Sequence, residues 1–106
     1  MKLILMVMVH RRYYIETLRA SGVAVLPIGG DLLVVARDSS DDIDWELVYR
    51  SKQRHQFEQG PYDLDMEGPE GRFEGPGILV RSDGRSHVFR GVGALSGFNA
   101  AEFGGD

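Results

Sequence analysis

The run Leu3-Ile4-Leu5-Met6-Val7-Met8-Val9 does most to constrain the fold. It is continuously apolar rather than alternating, the pattern of a strand covered on both faces or central in its sheet. Its seven residues fall far short of the ~20 that a membrane-crossing helix needs. Lys2 precedes it as in an export signal, but the run ends in His10-Arg11-Arg12 with no small-residue cleavage site. The expectation is a buried strand in an intracellular, cytoplasmic protein. The rest of the chain has room for one domain only, at 106 residues in total. A hydrophobic fraction of 42% suffices for a core. The absence of cysteine excludes disulfides, thiolate zinc sites and cysteine nucleophiles.

The segment from Arg11 to Gly22 predicts a helix, because Tyr14, Ile15, Leu18 and Ser21 share a stripe and Gly22 suits the stop. Val23 to Ile28 and Leu32 to Arg37 read as strands around a Gly29-Gly30 hairpin turn. A second helix is expected over residues 41–57. Ser40 can cap it, its acids come early and its bases late, as a helix dipole favours. The rival reading there is a strand, since Trp45, Leu47 and Tyr49 alternate. Residues 59–76 carry Gly60, Gly68, Gly71, Gly75, Pro61, Pro69 and Pro76, which predicts a long loop. Ile78 to Arg81 and His87 to Gly91 read as strands joined at Asp83-Gly84.

That order gives an α+β expectation: a ferredoxin-like (split βαβ) antiparallel sheet, two helices on one face, a long acidic Gly/Pro-rich loop and an extra C-terminal hairpin strand. Residues 1–92 would form this single domain. Residues 93–106 would be a glycine-rich tail with Phe98 and Phe103 as docking anchors.

Catalytic signatures are sparse. His10, His55 and His87 show no metal-ligand spacing, and each reads as an ordinary surface or helix-end histidine. Ser96 lacks the context of a nucleophile elbow, and no phosphate-binding glycine loop occurs. Asp63-Leu64-Asp65-Met66-Glu67 departs from a calcium loop in its glycine and its twelfth position. No metal, cofactor or catalytic residue is expected.

Charge is unevenly spread. Residues 38–74 hold eleven acids against four bases, a balance of -7, while the remainder holds five acids against eight bases, a balance of +3. The leading expectation is a small non-enzymatic protein-interaction module, an inhibitor or accessory subunit. Its acidic arm would bind a basic surface of a partner protein, itself a nucleic-acid binder in one variant. Asp41, Asp42, Asp44, Asp63, Asp65, Glu67 and Glu70 would supply charge, and Trp45, Tyr62, Met66 and Phe73 the apolar anchors. A first alternative is a small-anion or nucleotide binder or enzyme with a phosphate site where His10, Arg11 and Arg12 meet the N-terminus of the first helix. A second is weak nucleic-acid contact through Arg81, Arg85 and Arg90 on the last hairpin, without the aromatic signature of an RNA-binding strand. A homodimer fits each of these readings.

Overall fold

The computed structural model describes residues 8–25, 27–37, 43–52 and 57–97. All eight elements are strands: β1 Met8–Ile15, β2 Thr17–Ala20, β3 Val23–Val25, β4 Pro27–Arg37, β5 Ile43–Ser51, β6 Pro61–Gly68, β7 Gly71–Ser82 and β8 Ser86–Gly91. They form one antiparallel sheet in the order β1-β4-β5-β8-β7-β6-β2-β3. The sheet curls into a half-barrel that brings β1 against β6. β1 lies at one end and β2 near the other, yet only Glu16 separates them in the chain. Glu16 N–H donates to the Glu67 carbonyl at 2.8 Å, carrying the β2–β6 ladder up to the seam. A Cβ on Gly68 would collide with the Tyr14 carbonyl, so glycine permits this close passage of β6 past β1.

The α+β, ferredoxin-like expectation is therefore corrected to an all-β fold. The first expected helix is strand β1, strand β2 and a turn. Tyr13 and Ile15 point inward on β1, whereas Leu18 and Ala20 do so on β2. The inward parity changes across Glu16, and this slip turns a period of two into the three-residue spacing of Ile15 and Leu18, which imitates a helical stripe. Gly22, expected as a helix stop, belongs with Ser21 to the two-residue turn joining β2 to β3. Their φ values of 83° and 48° are the left-handed pair such a turn requires.

The second expected helix is β5, the strand reading of its alternation. Trp45, Leu47, Tyr49 and Ser51 face inward, and the acid-to-base order lies along an extended backbone. Asp41, Asp42 and residues 53–56 lie outside the described residues. Gly29-Gly30 makes no hairpin turn but runs within β4. A Cβ at Gly29 would lie 2.6 Å from the Tyr14 hydroxyl, and one at Gly30 would lie 2.6 Å from the Tyr49 ring.

The expected long loop at 59–76 is the β6–β7 hairpin, turned at Pro69-Glu70 with Gly68 opposite Gly71. Pro61 opens its strand, a position where the missing N–H is tolerated. Gly75, Gly77 and Gly91 leave an inward slot for the Trp45 ring, and the indole N–H donates to the Gly93 carbonyl at 3.0 Å. The Asp83-Gly84 turn between β7 and β8 is present as expected. The Asp83 carboxylate accepts from the N–H groups of Ser86 (2.7 Å) and Arg85 (3.0 Å), which hold it below its ordinary pKa.

The core is the interior of the curled sheet, where Tyr13, Leu32, Leu47, Leu64, Met66, Phe73 and Phe89 are buried together. From the expected tail, Leu95 joins this core and Ser96 bridges to Glu74. Phe98 and Phe103 lie outside the described residues, as do residues 3–7 of the apolar N-terminal run.

Candidate docking face

Alternation along each strand sends one set of side chains inward and the other out. On β6 it sends Asp63, Asp65 and Glu67 outward, and Leu64 and Met66 into the core. Met66 and Phe73 are therefore buried and cannot reach a partner while the fold is intact. Trp45 is 3% exposed, filling its glycine slot. Tyr62 is half-buried edge-on against Phe57 and Phe89, with its hydroxyl donating to the Glu58 carbonyl.

Several acids already have partners within the chain. Arg72 donates to Asp65 at 2.9 and 2.6 Å and lies 3.3 Å from Glu74. Its hydrogen bonds hold the Asp65 carboxyl below its ordinary range. Glu70 accepts from Arg11 at 2.8 Å. Asp63 and Glu67 are in no ion pair among the described residues. With Arg19 and Glu74, Asp63 and Asp65 line a shallow outer groove of about 420 Å³.

His10, Arg11 and Arg12 do not converge. They occupy successive positions of β1, so Arg11 departs on the opposite side from its neighbours. Arg11 lies over the Tyr13 ring at 5.3 Å, and Arg12 donates to Asp31 at 3.0 Å. No helix begins there to add its dipole. Arg81, Arg85 and Arg90 are exposed on or beside the last hairpin.

His87, expected to face water, is 0% exposed. Its Nδ1 lies 2.8 Å from the Ser82 hydroxyl and its Nε2 lies 3.2 Å from the Ser51 hydroxyl. Ser51 in turn donates to the Arg85 carbonyl at 3.4 Å. The Phe57 ring meets the imidazole edge-on at 5.0 Å. This chain of hydroxyls ties the β5, β7 and β8 ends together and satisfies both ring nitrogens. Among the described residues no three His, Asp or Glu side chains are grouped to hold a metal ion. Nor is any helix long and apolar enough to cross a membrane.

The feature that sequence reasoning missed is the exterior of β4, β5, β8 and β7. Outward positions of a curled antiparallel sheet are ordinarily polar. Here Leu33, Val48, Ile78 and Val80 stand 38–41% exposed. Half-buried Val35 and Val88 lie among them. A groove of about 390 Å³ opens on this face over Leu33 and Val35, with Asp44, Glu46 and Arg90 around it. The signal was present as doubled apolar pairs: Leu32-Leu33, Val34-Val35, Leu47-Val48 and Leu79-Val80. One member of each pair fills the core and the other faces out.

No protein family matches the chain, and comparison with curated proteins and with solved structures also finds no match.

Proposed function

We propose that the chain is a small non-enzymatic protein-interaction module that docks through the exterior of β4, β5, β8 and β7. The observation that carries this reading is the set of outward aliphatic side chains Leu33, Val48, Ile78 and Val80 across four adjacent strands. Large apolar side chains gathered on one exposed face mark interaction sites, and here Glu46 and Arg90 stand among them. Burying it removes apolar area from water, the main driving force of association. Asp44, Glu46 and Arg90 around the groove supply orientation and charge selectivity.

The test is capture on immobilised protein, native against the double substitution Leu33→Lys/Val80→Lys. Both positions are exposed, so the change leaves folding stability within roughly 0.5 kcal/mol. The expected result is a protein partner, a further copy of this chain included, retained by the native form and lost by the variant. Equal capture by both forms refutes the reading.

A second reading keeps a basic partner, held by the groove of Asp63, Asp65 and Glu74. It is favoured by Asp63, which lines that groove, and Glu67 on the same face of β6, neither of them in an ion pair among the described residues. Replacing them with Asn and Gln would then weaken capture and flatten its salt dependence. Capture that ignores this change eliminates it.

A further inference from the structure

We infer that the occupant of the apolar face is a second copy of this chain, packed face to face about a twofold axis that runs along the strands between β5 and β8. This inference rests on the docking-face reading above and names its partner.

The argument comes from register. Leu33 pairs with Glu46, Glu46 with Arg90, and Arg90 with Ile78, so one row across the four strands reads apolar, acid, base, apolar. In the next outward row Asp31 pairs with Val48, Val48 with Val88, and Val88 with Arg81, which reads acid, apolar, apolar, base. Each row complements its own reversal. Rotation about the proposed axis lays β5 of one copy over β8 of the other at the same height, and β4 over β7. Glu46 then meets Arg90 of the second copy, Val48 meets Val88 and Leu33 meets Ile78. Asp31, already holding Arg12, comes opposite Arg81. A twofold interface needs this self-complementarity.

Charge excludes the simpler occupants. A uniformly basic surface laid here would oppose Arg90, and a uniformly acidic one would oppose Glu46. Neither residue is in an ion pair among the described residues. Packed sheets cross at about 30° and this face is the convex outside of the curl, so flanking strands are displaced and drawn apart more than central ones. The pairs next to the axis, Glu46–Arg90 and Val48–Val88, therefore set the specificity.

The experiment is sedimentation equilibrium on the native chain, Glu46→Arg, Arg90→Glu and an equimolar mixture of the two variants. The native chain is expected to be a dimer. Each single substitution places like charges across the axis and weakens association by roughly tenfold or more. In the mixture both cross-axis pairs are again acid against base, so a heterodimer forms with near-native affinity. A merely structural role within one chain gives no such rescue, because each variant keeps its own like pair. A native chain that stays monomeric at every concentration overturns the inference, as does a mixture no tighter than its components. If the native chain is monomeric yet loses a different captured protein on Leu33→Lys/Val80→Lys, the docking face stands and the second copy falls. If that substitution changes nothing, both fall.

Discussion

At the scale of single residues, His87 concentrates polar chemistry inside an apolar shell. Both imidazole nitrogens lie within hydrogen-bond reach of serine hydroxyls, and Phe57 closes over the ring. Truncation by His87→Ala leaves a cavity and strands the buried Ser51 hydroxyl. The expected cost is about 2–4 kcal/mol in denaturant unfolding. Asp65 gives a pH-dependent counterpart. Its pKa is lowered in the folded state, chiefly by the Arg72 hydrogen bonds. Its stabilisation is therefore complete above the ordinary carboxylate value of about 4, and is lost as pH falls through the lower folded value. Thermal scans should find Asp65→Asn less stable than native at neutral pH, with the gap closing in acid. A gap that is constant with pH would contradict this pairing.

At the scale of elements, glycines in strands act as space rather than as joints. Gly91 faces the flat of the Trp45 ring, so Gly91→Ala drives a methyl into the indole and should cost about 1–3 kcal/mol. Trp45 is the sole tryptophan, so its emission reports the disturbance directly. An unchanged spectrum and midpoint would refute this packing. The same glycines explain where the sequence misleads. Gly29-Gly30 satisfies the chemistry of a turn, and nothing local distinguishes that from making room for two tyrosines. The Asp83-Gly84 hairpin was legible because its contacts are local: the Asp83 carboxylate bonds the next two free N–H groups. The two helical signals have nonlocal origins. The parity slip at Glu16 and the charge order along β5 each imitate a helical signal, and only pairing with distant strands resolves them. In Asp63-Leu64-Asp65-Met66-Glu67 the interleaving of acids with apolar residues was visible. It is strand alternation, which places the acids on one face and withdraws the intended anchors into the core.

At the scale of the whole molecule, two exterior regions differ in chemistry. The β2–β6 side shows Thr17, Arg19, Asp63, Asp65 and Glu67, while the β4–β5–β8–β7 side sets Leu33, Val48, Ile78 and Val80 among Asp31, Glu46, Arg81 and Arg90. That division favours one buried docking face and one solvated face. The sequence carries only its trace, the doubled aliphatic pairs, because which residues meet on the outer face depends on register across four strands. Closure of the sheet also pairs Thr17–Ala20 with Leu64–Glu67, far along the chain. Such nonlocal pairing is paid for in loop-closure entropy before it is rewarded, so refolding should fall in the millisecond-to-second range. Stopped-flow emission of Trp45 measures it, and a microsecond phase carrying the full amplitude would contradict this topology. The seam at Glu16 has a consequence during synthesis. On the ribosome the β2–β3 hairpin and the β1–β4 pair that flanks it can form once Arg37 has emerged, but the free side of β2 must wait for Pro61–Gly68 to be translated. For that interval a nascent chain offers naked strand hydrogen-bonding groups to its neighbours, the moment at which this protein is most exposed to co-translational aggregation.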